Sequence, residues 1–192
     1  MDPYDSLRAD ETMASLVDGF GRIEVEPADD GEEFRGLVVS LTNQAVSTES
    51  ARAVRSRLFE TLGDVTPESV LETAPEELAS SGIGETKAGY VRETARAFRD
   101  GDYGRGAFDD ATDDEVRDAL TEIRGIGDWT ANMYLIFVLG RDDVLPLGDL
   151  AVRRGIEGLY GVETRDGMRE VAENWKPYRS YGTRYVWAWY EA

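Results

Sequence analysis

One segment decides what this chain can fold into. Trp129 to Leu139 is apolar nearly all round. A helix of that character has no face to offer water and belongs at the buried centre of a helical protein. It is far shorter than the roughly 20 residues of a membrane span. It follows at once on Arg124-Gly125-Ile126-Gly127, a turn whose two glycines let the chain reverse sharply and let another backbone come close. Before that turn, Thr112-Asp113-Asp114-Glu115 reads as a capping box opening a helix that runs to Ile123.

The rest of the chain agrees with a helical protein. A first helix is expected from Tyr4 to Val17. Arg22-Ile23-Glu24-Val25-Glu26 alternates with period two and predicts one short strand. Phe34, Leu37, Val38, Leu41 and Val46 mark a buried helix, and Ser47 or Thr48 caps the next, which Gly63 stops. Thr66-Pro67 and Ala74-Pro75 start two short helices. Gly82-Ile83-Gly84 precedes a longer one, Glu85 to Phe98, and repeats the Gly-Ile-Gly of position 125. Asp149 opens a helix to about Leu159, and helices from Thr164 to Trp175 and from Pro177 to Tyr190 follow. The expected fold class is all-α: one domain over 1–192, with two helical lobes flanking a cleft. Lobe one would be about 35–141, with the helix-turn-helix at 113–139; lobe two would join 1–34 to 142–192.

The chain has no cysteine and no histidine. Disulfide scaffolds, zinc fingers, thiolate-ligated clusters and cysteine nucleophiles are excluded. So are histidine bases and Ser-His-Asp triads. Acid–base chemistry falls to carboxylates. Net charge is −18, and only Lys87 and Lys176 among the 21 basic residues are lysines. Such a surface ordinarily argues against a nucleic-acid partner. Dense Asp and Glu with scarce Lys also suits multimolar salt, where the Debye length falls to about 3 Å. The acidic runs at 29–33, 109–110 and 113–115 are spread along the chain. We therefore expect a halophilic archaeal source. The start, Met1-Asp2-Pro3-Tyr4-Asp5, lacks a basic region followed by an apolar run, which predicts a cytoplasmic location without membrane contact.

Three groups of residues can carry chemistry. The amides of Gly125, Ile126 and Gly127, with the start of the next helix, make an anion site that suits a phosphodiester. Asp149 follows the apolar Leu145-Pro146-Leu147-Gly148 and begins a helix. As a cap it has a structural task. In a dry cleft the same carboxylate can stabilise a sugar oxocarbenium ion or orient water, and the helix dipole favours negative charge there. Arg153 and Arg154, one turn on, are candidates to hold a phosphate or that carboxylate. The third group is aromatic: Trp129, Tyr134, Trp175, Tyr178, Tyr181, Tyr185, Trp187, Trp189 and Tyr190 crowd the last third. Most are expected in the core, leaving a few to stack on a flat, electron-poor base.

Together these residues resemble the helix-hairpin-helix (HhH-GPD) superfamily of DNA glycosylases. The hairpin reads Ile123-Arg124-Gly125-Ile126-Gly127-Asp128-Trp129-Thr130-Ala131, and Leu145-Pro146-Leu147-Gly148-Asp149-Leu150 places the aspartate 22 residues after Gly127. Asn43-Gln44-Ala45-Val46-Ser47 is similar to the family's Gln-Gln-Val-Ser segment. Leu78 to Ala88 is a further shared stretch, and Trp175-Lys176-Pro177-Tyr178-Arg179-Ser180-Tyr181 resembles the 3-methyladenine-DNA glycosylase II branch. The likeness covers roughly 34–190.

The resemblance implies a monofunctional DNA glycosylase of base excision repair. It would hydrolyse the N-glycosidic bond of a flipped alkylated purine and leave an abasic site. Bifunctional members carry lysine where this chain has Trp129. Asp149 would be catalytic; Trp129, Trp187, Met133 and Tyr134 would line the base pocket. Gly125, Ile126, Gly127 and Thr130 would hold the DNA backbone, and Gln44 or Ala45 would wedge into the duplex. No redox cofactor or catalytic metal is implied. Na+ or K+ at the hairpin, on the carbonyls of Thr121, Ile123 and Ile126, is. The expected partner is double-stranded DNA with a damaged base, bound by a monomer. Arg124 departs from the pattern, which has proline there; so do Ala45, in place of a bulky wedge, and Met133, in place of a pocket tyrosine. A glycosylase for uracil or deaminated purine, and a non-catalytic DNA-binding module, are the alternatives.

Overall fold

The computed structural model describes residues 2–44, 48–101 and 103–192, and every regular element among them is helical. In chain order the α-helices are α1 (Pro3–Leu7), α2 (Glu11–Phe20), α3 (Glu33–Asn43), α4 (Thr48–Leu62), α5 (Pro67–Glu72), α6 (Pro75–Leu78), α7 (Gly84–Asp100), α8 (Asp113–Thr121), α9 (Asp128–Phe137), α10 (Leu150–Tyr160), α11 (Arg165–Glu173) and α12 (Arg179–Glu191), with a π-helical turn at Ala79–Ile83 and a 3-10 turn at Arg105–Phe108. The chain divides into two compact units. Unit 1 is Met1–Pro27 with Gly140–Ala192, and unit 2 is Ala28–Leu139. The seams thus fall at 27/28 and 139/140 rather than at 34/35 and 141/142. Ala28 belongs with unit 2 because its N–H donates to the Val138 carbonyl (3.1 Å).

Two local expectations change. The first helix is two helices, because Asp2 caps α1 and Asp10 caps α2 by accepting the Met13 N–H at 2.9 Å. The segment 22–26 makes no strand: among the described residues no strand partners it, and Ile23 N–H donates to the Tyr185 hydroxyl (3.4 Å).

Unit 2 is built around α9. Residues Thr130 through Ile136 are all buried, as an all-round apolar pattern requires. The one amide in that run, Asn132, accepts from Arg117 Nε at 2.9 Å. That bond offsets a burial cost of about 1–3 kcal/mol for an unpaired polar group. The capping box at Thr112 forms reciprocally with Glu115 and starts α8. Two arginines tie loop carbonyls together. Arg92 donates to the Val70 and Thr73 carbonyls (3.0 and 2.8 Å), and Arg57 to the Ser81 carbonyl (2.9 Å).

Unit 1 centres on Leu7, Met13, Val152, Ile156, Trp175 and Tyr185. Trp175 lies flat against Gly182 of α12, where a Cβ would come within 2.6 Å of the indole. The start of α12 clasps the segment after unit 2. Arg179 makes a two-pronged bond to Asp143 (2.7 and 3.0 Å), and Ser180 Oγ accepts the Val144 N–H at 2.9 Å. Helices α10 and α12 touch through glycines: a Cβ on Gly155 would lie 2.3 Å from Val186 Cγ1, and one on Gly158 2.5 Å from Trp189. Gly155→Val therefore forces the two helices apart. We expect a loss of about 2–4 kcal/mol, from overpacking at one of the tightest contacts. Urea unfolding measures it.

Candidate active site

Asp149 sits where unit 1 turns from an apolar loop into α10. Leu147 N–H donates to the Leu145 carbonyl (3.0 Å) and Asp149 N–H to the Pro146 carbonyl (2.9 Å), which winds the loop tightly. As N-cap of α10, Asp149 accepts the Val152 N–H on Oδ1 at 2.9 Å. A second donor meets the same oxygen: Nε1 of the half-buried Trp187, from α12, at 3.2 Å. The Gly155 approach of α10 to α12 makes this meeting possible. The carboxylate is thus aimed by one bond within its helix and one from another. A carboxylate so fixed can face developing positive charge with little reorganisation.

Arg153 does not hold the carboxylate. Its Nη1 donates to the carbonyls of Leu147 and Gly148 (2.8 and 2.9 Å), pinning the loop that presents Asp149. Arg154 pairs with Glu157 on the exposed side. The Arg153 Nη1 is therefore committed to the loop carbonyls.

The hairpin lies in unit 2. Gly125 takes φ 101°, and a Cβ there would come within 2.2 Å of the Tyr90 ring, so only glycine fits. Ile126 N–H donates to the Ile123 carbonyl (3.0 Å). Gly127 is the N-cap of α9, and no side-chain oxygen caps that end. Its first-turn amides point out along the positive end of the dipole. The Ile123 carbonyl accepts one bond and keeps a second lone pair. Backbone oxygens such as those of Thr121, Ile123 and Ile126 are hard donors of the kind a monovalent cation takes.

Three assignments need correction. Gln44 is turned inward: Nε2 donates to the Gly125 carbonyl (3.1 Å) and to Thr130 Oγ1 (2.8 Å), which takes it away from a wedge role. Thr130 is 1% exposed with its hydroxyl held by Gln44, so its side chain does not face a DNA backbone; only its amide belongs to the first turn. Tyr134 is fully buried, with its hydroxyl donating to the Tyr103 carbonyl (2.8 Å) and its ring edge-on to Phe108. Burial pushes its phenol well above the usual range. It is core, not pocket, and Met133 beside it is buried too. Trp129 is half-buried in unit 2 and Trp187 half-buried in unit 1. Ala45 lies outside the described residues.

Two residues of α7 escaped the sequence reading. Lys87 Nζ donates to the Gln44 and Thr42 carbonyls (2.6 and 3.3 Å), and burial lowers its pKa. Tyr90 forms the floor under Gly125. The available signal was that Lys87 is one of two lysines in an arginine-rich chain.

A fold of helices alone, a glycine hairpin opening a buried helix and an aspartate capping another define a class. The HhH-GPD superfamily base excision DNA repair model matches residues 38–179, and the chain belongs to that family. It is 25% identical over 186 residues to the alkylbase DNA glycosidase-like protein mag2 of Schizosaccharomyces pombe, covering 94% of this chain and 86% of that one. DNA-3-methyladenine glycosylase 1 of the same organism is 28% identical, over 81% of this chain and 72% of its own length. Among solved structures, the S. pombe 3-methyladenine DNA glycosylase Mag1 in complex with abasic DNA superposes with a TM-score of 0.90 at 26% identity, covering 100% and 98% of the two chains. A Clostridium acetobutylicum 8-oxoguanine glycosylase/lyase shares the fold at 16% identity and a TM-score of 0.82, over 98% of this chain and 69% of that one.

Proposed function

We propose that this chain is a monofunctional DNA glycosylase of base excision repair. It hydrolyses the N-glycosidic bond of a flipped alkylated purine of the 3-methyladenine type and leaves an abasic site in duplex DNA. The observation that carries this reading is the Asp149 carboxylate, held by Val152 N–H and Trp187 Nε1 at the head of α10. The S. pombe relatives, an alkylbase DNA glycosidase-like protein and a 3-methyladenine glycosylase, support the substrate class.

Hairpin amides at Gly125, Gly127 and the first turn of α9 hold a backbone phosphate, whereas the Ile126 N–H, expected among them, is spent on the Ile123 carbonyl (3.0 Å). Extrusion of the nucleotide costs a few kcal/mol, and least for a weakly paired lesion. A purine alkylated on a ring nitrogen is cationic. It is drawn to the π-face of an indole such as Trp187 and leaves with the bonding electrons of the N-glycosidic bond. Asp149 stabilises the positive charge that develops on the sugar and orients the water whose oxygen bonds to the anomeric carbon. This hydrolysis calls on no redox cofactor or catalytic metal. Na+ or K+ on the Thr121, Ile123 and Ile126 carbonyls would brace the turn.

A lyase step needs a primary amine to form a Schiff base. Position 129 is tryptophan, Lys87 is spent on two carbonyls, and Lys176 pairs with Glu173 on the surface. Borohydride added during turnover should trap no covalent protein–DNA adduct, and strands should break only after alkali. A trapped adduct would sink the monofunctional reading.

The test of function is release of free base from methylated DNA and from single-lesion duplexes carrying 1,N6-ethenoadenine, hypoxanthine or uracil. Free alkylated base supports the proposal. Release of uracil or hypoxanthine alone would overturn the substrate class, and binding without release would indicate a non-catalytic module.

The acidic surface carries a further expectation, that the chain works as a monomer in the cytoplasm of a halophile. Activity and unfolding midpoint should both rise from 0.2 M to above 1 M KCl. Ordinary DNA binders lose about three to five decades of affinity between 50 and 200 mM salt. An optimum for both below 0.2 M would contradict the halophilic reading.

A further inference from the structure

The turn at 124–127 lacks the residue that could stiffen it from within. A proline at position 124 would fix φ near −65°; Arg124 leaves it free, and Gly125 after it has no Cβ to restrict it. Yet the surrounding side chains grip this turn closely. The Gly125 carbonyl and the Ile126 N–H belong to one peptide plane. Gln44 Nε2 holds the oxygen (3.1 Å) and the Ile123 carbonyl holds the N–H (3.0 Å), so the plane is fixed at both edges. The same Gln44 nitrogen reaches Thr130 Oγ1 (2.8 Å), tying the turn to the first turn of α9. Gln44 is itself held, because Lys87 donates to its carbonyl (2.6 Å). Tyr90, three residues after Lys87 and so on the same face of α7, fills the space under Gly125.

We infer that Gln44 and Lys87 are positioning residues that lock the 124–127 turn, supplying through side chains the rigidity that Arg124 does not. The inference rests on the proposed function for its consequence: a locked turn presents the Gly127 and Asp128 amides in a fixed direction, so a phosphate binds without first ordering them. The bonds explain why a glutamine is needed. Two hydrogens on one nitrogen serve two acceptors, and a carboxylate at position 44 would face the Gly125 carbonyl with no donor. They also explain a lysine in an arginine-rich chain, since a compact ammonium fits between the Thr42 and Gln44 carbonyls at the end of α3.

The experiment compares wild type, Gln44→Leu, Lys87→Met, Arg124→Pro and the Gln44→Leu/Arg124→Pro double variant. Proline is tolerable at 124 because, among the described residues, the Arg124 N–H makes no backbone hydrogen bond. Three quantities are read: hydrogen exchange of the Gly127 and Asp128 amides, Kd for a duplex bearing a tetrahydrofuran abasic analogue, and the single-turnover rate of base release at saturating enzyme. Gln44→Leu and Lys87→Met should each speed exchange at those amides by about tenfold, with the rest of 28–139 unchanged. Gln44→Leu should weaken the duplex by about tenfold and leave the saturated rate within about twofold. Adding Arg124→Pro should recover most of both losses. Unchanged exchange in Gln44→Leu would overturn the inference. So would a loss shared by all of unit 2 and not recovered by Arg124→Pro, which would make Gln44 only a support of the fold. If wild type fails to bind the duplex, the proposed function fails, while the exchange data still decide the lock.

Discussion

Asp149→Asn should fold like wild type and release essentially no base. Asparagine is as good an N-cap as aspartate, so its amide oxygen keeps the Val152 N–H and stability moves by less than about 0.5 kcal/mol. It can also keep the Trp187 bond. What it loses is the charge. Removing a single neutral oxyanion-hole donor costs about 10²–10³ in rate. A carboxylate facing a sugar cation has a larger share of the work, so the single-turnover rate should fall by at least about 10³-fold. Affinity for an abasic-site duplex should stay within about threefold, because the phosphate contacts lie elsewhere. Asp149→Ala should be equally inactive and also lose about 1 kcal/mol, from the empty cap. An asparagine variant retaining a tenth of wild-type activity would remove Asp149 from the chemistry.

The second large effect belongs to Gly125→Ala. A backbone held at φ 101° costs a residue with a Cβ about 1–3 kcal/mol. The new methyl would lie within 2.2 Å of the Tyr90 ring, a contact with no relaxed form. Displacing that ring adds about 1–3 kcal/mol of overpacking. The variant should lose about 2–6 kcal/mol in urea unfolding. If it folds, affinity for an abasic duplex should drop by more than tenfold, because the turn reshapes. Tyr90→Ala in the same background makes room and should return part of the stability. A variant at wild-type stability would mean that the turn is not confined as described.

Much of this was legible in the residues because local signals and the global fold agree. The all-round apolar pattern of α9, the capping box at Thr112 and the prolines at 67 and 75 act within one helical turn, so sequence carries them. The place of Asp149 as a helix cap was legible for the same reason: an apolar loop, an aspartate, then an amphipathic helix. The alternation at 22–26 misled, because period two measures burial on one side and not the presence of a partner strand. Tyr134 and Thr130 were misassigned because a helix buried all round gives no sign of which residues face a ligand and which face the core. Gln44, Lys87 and Arg153 were misread or missed for a deeper reason. Apart from the Thr130 hydroxyl that Gln44 also reaches, their acceptors are backbone carbonyls, which every residue carries, so no pattern of side chains announces the pairing.

The Ala28 N–H bond to the Val138 carbonyl has a bearing on how the chain assembles. It brings the two ends of unit 2 together, and the Cβ position of Gly140 lies 2.6 Å from the Pro27 nitrogen, so the flanking ends of unit 1 meet as well. Unit 2 is therefore an insertion whose two ends lie together, and that closure becomes available once residue 139 has been made. The first 27 residues have no such closure: Leu7, Met13 and Val17 find their packing partners in Val152, Ile156, Trp175 and Tyr185. During synthesis, at about 5–20 residues per second, they wait unpaired for seconds while the whole insertion is added and folds. A short linker from residue 27 to 140 would span a gap already bridged in the fold.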